Sequence, residues 1–238
     1  MMKTAIFSRA AIAGVCMALC SCASVSVREI IPLTQAPTKV PQTILVQTFE
    51  FEDDMVRAGR QGEELEEFKR GMQQEMTANL LERLRKYIGP AQATSPESML
   101  PRENSWLISG RFTRLYQGSR FLRGALGFGS GGTKMEITAT ISDLSGKVPK
   151  RFLLIQTTGG TNAMPGAVMG VVTWPMILSG APGLVAGLSG DSRRTAREIT
   201  SALGLYMKNH GLDVGKEVPK VKRKGSLPLF SNNREPEN

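Results

Sequence analysis

The chain has 238 residues, 41% of them hydrophobic and 21% charged, with a formal charge of +9, one histidine and three cysteines. That length suits one domain with tails. A single His, with every Cys inside the first 22 residues, excludes a His/Cys metal centre and thiol chemistry in the folded part. The basic balance comes without an aromatic-interleaved basic motif, which argues against nucleic acid and leaves lipid headgroups, cell-wall polymers or acidic protein faces as partners.

The N-terminus carries Lys3 and Arg9 ahead of an uncharged apolar run from Ala10 to Leu19. The run is too short to span a bilayer and reads as the core of a signal peptide. Leu19-Cys20-Ser21-Cys22-Ala23 resembles the lipobox of bacterial lipoproteins, with Leu at −3, a small residue at −1 and Cys at +1; Cys20 at −2 is a departure. Residues 1–21 are thus the leader, and Cys22 is the lipidation site. By that resemblance Cys22 carries a diacylglycerol and an N-acyl chain such as palmitate, several chains together holding stably. Ala23 is not the Asp associated with inner-membrane retention, which favours the periplasmic face of the outer membrane. Cleavage removes two basic residues and leaves 217 residues with a charge of +7.

Residues 22–42, rich in Ser, Thr and Pro, read as a tether. A first strand is expected over Thr43 to Phe51 from the alternation of Ile44 and Val46 against Leu45 and Phe49. Arg60 to Ile88 is a helix, with Leu65, Phe68, Met72, Met76, Leu80, Leu84 and Ile88 on one face. Acidic residues open it, basic residues close it, and Gly89-Pro90 stops it. Ser105 to Gln117 alternates, with Trp106, Ile108, Phe112 and Tyr116 sharing a face; Lys134 to Asp143 and Lys150 to Thr157 form a hairpin. A last helix runs from Asp191, read as its N-cap, to Asn209. The order β-α-β-β-β-α predicts an α+β domain over residues 43–211: a mixed, mostly antiparallel sheet of about four strands covered by two helices. Residues 212–238 read as a basic disordered tail.

Two segments stand apart. Gly118 to Gly132 is glycine-rich but lacks the Gly-Lys-Ser/Thr ending and the following helix of a nucleotide loop, so no nucleotide is expected. Its Arg120, Phe121, Arg123 and Phe128 are candidates for partner contact. Phe152 to Gly190 contains no charge, and its part at 159–190 reads as an apolar Gly/Pro-rich hairpin insert. Pro165, Pro175 and Pro182 interrupt any single helix there. Val171, Trp174 and Ile177 are the corresponding candidates, in a hairpin that is buried on the domain, is membrane-contacting or forms an assembly surface.

Trp106-Leu107-Ile108-Ser109-Gly110-Arg111-Phe112, Gly118-Ser119-Arg120 to Arg123 and Leu126-Gly127-Phe128-Gly129-Ser130-Gly131 resemble the DUF4410 family of bacterial lipoproteins, over most of residues 43–211. The resemblance implies the fold and the location and brings no activity, substrate, cofactor or catalytic residue. His210, beside the Gly that ends the last helix, suits a cap better than chemistry. Glu50, Glu52, Asp53 and Asp54 cluster after the first strand but read as a solvated charge run rather than a metal site. No enzyme and no cofactor is expected. The leading function is a lipid-anchored envelope module that docks another envelope protein or a second copy of itself; the alternatives are a membrane-inserting or pore-forming assembly component and, last, a metal-assisted hydrolase. The lipidation expectation is open to direct test: Cys22→Ser abolishes acyl labelling, and labelling that persists in this variant contradicts the assignment.

Overall fold

The computed structural model describes residues 24–52, 54–95, 104–117, 133–160 and 183–223. Its frame is an eight-stranded mixed sheet built from β1 (Ser24–Pro32), β2 (Thr43–Gln47), β3 (Glu50–Phe51), β4 (Val56–Arg57), β5 (Ala91–Thr94), β6 (Ser105–Tyr116), β7 (Lys134–Asp143) and β8 (Lys150–Gly160). Two helices, α1 (Gly62–Tyr87) and α2 (Gly183–Asn209), accompany it among the described residues. The main path runs β1-β8-β7-β6-β2-β5, and β3 and β4 also pair with β6.

The expectation of about four mostly antiparallel strands covered by two helices is therefore corrected. The fold is sheet-dominated, with twice that number of strands, and four of its seven strand pairings are parallel. The reason is local. β3 and β4 have two residues each, too few for a period of two to register. β5 is Ala-Gln-Ala-Thr, with little branched or aromatic content. The parallel pairs follow from α1, which carries the chain from the first strands across to β5, the kind of crossover that parallel strands require.

Two flanking segments also differ from their reading as tether and tail. Ser24–Pro32 is an edge strand antiparallel to β8, with Val25 and Val27 buried; its Ser and Pro content masked that alternation. Residues 212–223 run back across α2, where Val214, Val218 and Val221 pack against the core. The Val27 amide donates to the Lys222 carbonyl at 2.6 Å, so this return segment caps part of the β1 edge.

The core lies between the helices and one sheet face. Met72, Met76, Leu80 and Leu84 of α1 and Ala196, Ile199, Ala202 and Leu203 of α2 are buried with Trp106, Ile108, Met135, Ile137, Ile141 and Ile155. Trp106 meets Phe152 edge-on at 4.9 Å, and Phe152 in turn lies 5.7 Å from the Tyr206 ring. A register shift between Phe112 and Arg114 moves the inward position from Tyr116 to Leu115, so the expected face holds only as far as Phe112.

Between β2 and β3 the chain turns its Phe49 ring flat into the core over Gly110 of β6, and Gln73 of α1 donates to the Phe49 carbonyl at 2.7 Å. A Cβ on Gly110 would collide with that ring, whereas one on Gly71 of α1 would meet nothing. Gly110→Ala should lower stability by about 1–3 kcal/mol through overpacking. Gly71→Ala should raise it by about 0.5–1 kcal/mol through helix propensity. Urea unfolding midpoints for the two variants check this, and shifts of the same sign contradict it.

Candidate functional site at one end of the sheet

The strand registers align four residues in one transverse row. Tyr116 of β6 pairs with Lys134 of β7, Lys134 with Gly160 of β8, and Gly160 with Ser24 of β1; Arg57 of β4 flanks Tyr116 on the other side. Residues 1–23, 118–132 and 161–182 each adjoin this row, through Ser24, through Gln117 and Thr133, and through Gly160. The sheet thus gathers the points from which all three extend at a single end. Cys22, Arg120, Phe121, Arg123, Phe128, Val171, Trp174 and Ile177, the residues picked out in the sequence, lie outside the described residues. What the structure does fix is the common origin of the segments that carry them.

α2 is bound to this end by a buried polar node. Asp191 is fully buried, and its carboxylate accepts from the Thr133 hydroxyl at 2.5 Å and from the Arg194 guanidinium at 3.1 Å. It is therefore an interior helical residue rather than the N-cap expected from sequence: the helix begins at Gly183, about 12 Å of helical rise earlier. One turn on, the Thr195 hydroxyl points at the Met135 sulfur at 3.7 Å. Burial raises the Asp191 pKa above its ordinary 3.8, against the opposing pull of the Thr133 hydrogen bond and the Arg194 charge. Glu198, also buried, accepts the Lys222 backbone N–H at 2.8 Å and so holds the return segment. Burial likewise raises its pKa above 4.5, opposed by that backbone hydrogen bond and by Arg197 and Lys222.

On the outer face at the same end, a cleft of about 600 Å³ is lined by Asp54, Met55, Arg57, Arg114, Leu115, Tyr116 and Lys134. Arg114 and Lys134 share Glu136, at 3.6 and 3.2 Å, and the Thr158 hydroxyl donates to the same carboxylate at 3.3 Å. Arg57, Arg114 and Lys134 against Asp54 in the lining, with Met55 exposed beside them, give this end a basic and partly apolar character. Such a surface suits anionic headgroups or an acidic protein face.

The remaining candidates lie elsewhere. His210 closes α2: its Nδ1–H donates to the Tyr206 carbonyl at 2.8 Å, and the two rings lie 4.1 Å apart. The ring thus adds a second donor to a carbonyl that already accepts the His210 backbone N–H at 3.2 Å. Glu50 is drawn to Arg111 at 3.5 Å, Asp53 is not among the described residues, and these contain no group of three or more His, Cys, Asp or Glu placed to hold a metal. Sequence reading gave Asp191 the role of a cap and missed Thr133, Glu198 and the cations of the cleft. The available signal was the seven-residue spacing of Asp191 and Glu198, which puts both on one helix face with Thr195 between them.

Both buried acids have folded-state pKa values above their unfolded ones. They withhold stability at neutral pH and return it as the pH falls through those raised values toward 4.5 and 3.8. Glu198→Gln keeps an acceptor for Lys222 without the charge. Its stability relative to the parent should be greatest near about pH 7 and shrink toward about pH 4, as measured by denaturant unfolding. A difference that does not vary with pH contradicts the burial account.

A search of curated proteins returns no match. Among solved structures, the chain is similar to two titled as PelC dodecamers from Paraburkholderia phytofirmans. One is 13% identical with a TM-score of 0.38, covering 74% of this chain and 98% of that one. The other is 9% identical with a TM-score of 0.34, covering 70% and 96%. A third, titled only as an uncharacterized protein, is 12% identical with a TM-score of 0.28. Residues 44–161, from β2 through the end of β8, match the family model described as Domain of unknown function (DUF4410), and α2 lies beyond that match.

Proposed function

We propose that this chain is a lipid-anchored cell-envelope protein at the periplasmic face of the outer membrane, acting as a docking or assembly module through the end of the sheet marked by Tyr116, Lys134, Gly160 and Ser24. The observation that carries this reading is the shared row of those four residues. Cys22 lies two residues before Ser24, a separation that extended chain spans in about 7 Å at most. A lipid on Cys22 therefore holds this end of the sheet against the bilayer, together with the basic cleft of Arg57, Arg114 and Lys134. Residues 118–132 and 161–182 join the described sheet at this same end, and their sequences carry the arginine and apolar residues assigned to contact in this reading. The partner in this reading is another envelope protein or a second copy of the chain.

Charge placed in the apolar segment tests the proposal. An arginine at a buried core position costs several kcal/mol and unfolds a domain. At a contact surface it leaves the fold intact and removes only the contact. Val171→Arg and Ile177→Arg are expected to keep the native circular dichroism while losing assembly, read as size in and out of detergent on the chain lacking its leader. Unfolding of both variants overturns the docking role of this segment. Loss of detergent binding alone, with assembly retained, points to the membrane-inserting alternative.

A further inference from the structure

The return segment leaves a second feature, away from the row of strand ends. Between the C-terminal half of α2 and residues 212–223 runs a groove of about 720 Å³, a size within the roughly 300–1,000 Å³ of small-molecule sites. Its walls include Leu205, Leu212, Val218 and Val221. Gly204 makes room for the crossing: the Val218 side chain occupies the space a Cβ there would need.

Two observations say what would fill it. First, Ser201 lines the groove and is fully buried, yet its hydroxyl has no hydrogen-bond partner among the described residues. Its neighbour Thr200 bonds back to the Ala196 carbonyl at 2.9 Å; Ser201 makes no such bond. A buried hydroxyl without a partner destabilises the fold, a cost that a ligand oxygen would remove. Second, Lys208, Lys216, Lys220 and Arg223 line the groove against only Asp213 and Glu217, an excess of two positive charges. None of the three lysines has an ion pair among the described residues. Ser201 and Lys208 are seven residues apart on the same face of α2, about 10 Å along the axis.

We infer that this groove binds a monoacyl phospholipid. The acyl chain lies against Leu205, Leu212, Val218 and Val221, the ester carbonyl accepts the Ser201 hydroxyl, and the phosphate meets the lysines beyond. An apolar wall, one orphan donor and a cationic mouth in that sequence match the order of chain, ester and phosphate. The site is independent of the docking end, so failure of one reading leaves the other standing.

The test is calorimetric titration of the full chain with 1-myristoyl lysophosphatidic acid below its micelle concentration. Glycerol phosphate, which lacks the chain, and monomyristoylglycerol, which lacks the phosphate, are titrated alongside. Saturable one-to-one binding of the lysolipid, with neither control matching it, is the expected result. Leu205→Trp, filling the groove, should abolish binding, and Lys208→Glu with Lys220→Glu should weaken it by about tenfold or more. Ser201→Ala should weaken it about fivefold while leaving the unliganded protein at least as stable, a split that a merely structural serine would not produce. Thermal unfolding of each variant confirms that it is folded. Absence of lysolipid binding, equal binding of monomyristoylglycerol, or binding unaffected by Leu205→Trp overturns the inference.

Discussion

The twelve-residue strand β6 is hydrogen-bonded to β7 along one edge and to β2, β3 and β4 in succession along the other, so its register positions most of the sheet. Register in a sheet with one buried face is strongly specified, because a slip by one residue would turn Trp106, Ile108 and Phe112 out of the core. Gly110 adds a steric condition, since only a residue without a Cβ lets the Phe49 ring cross β6 where it does. The slip is absorbed at one place, the irregularity between Phe112 and Arg114, after which Leu115 faces inward and Tyr116 joins the row at the sheet end. The alignment of Tyr116, Lys134, Gly160 and Ser24 is thus a consequence of core packing, and the functional reading depends on it.

α2 turns that alignment into a single body. It presents an unusual stripe for a core-facing helix, with Asp191, Ser192, Thr195 and Glu198 all buried. Each of the two acids is tied to a different piece of chain: Asp191 to Thr133, where residues 118–132 rejoin the sheet, and Glu198 to Lys222, where the return segment reaches β1. Buried carboxylates that hold such junctions are costly to ionise and more costly to leave without partners. Hydrophobic residues at these positions would fill space equally well but would not fix where either segment lands.

Strong periodicity was legible in the sequence and weak periodicity was not. The stripe Met72, Met76, Leu80 and Leu84 and the alternation through Met135, Ile137, Ala139 and Ile141 each repeat often enough to stand out from chance. The two-residue strands β3 and β4 exist only because β6 offers them an edge, a tertiary fact with no local signal. β1 was hidden by its Ser and Pro content. Asp191 looked like a cap because Asp ordinarily caps or faces water, and nothing local reports that Thr133 waits 58 residues away in sequence. Of the candidate site, the sequence marked the unusual segments at 118–132 and 159–190. It did not reveal that they leave the sheet side by side, because that depends on the strand order.

If the proposed docking role holds, the row of Ser24, Gly160, Lys134 and Tyr116 faces the membrane and the Asp143–Lys150 hairpin points away from it. The ten residues of β7 separate the two ends by roughly 30 Å. The direct measurement attaches a fluorophore at Arg57→Cys beside the row, or at Val148→Cys in the hairpin, of the lipidated protein on vesicles carrying headgroup quenchers. Strong quenching at position 57 and little at position 148 is expected. Equal quenching, or the reverse order, would contradict it.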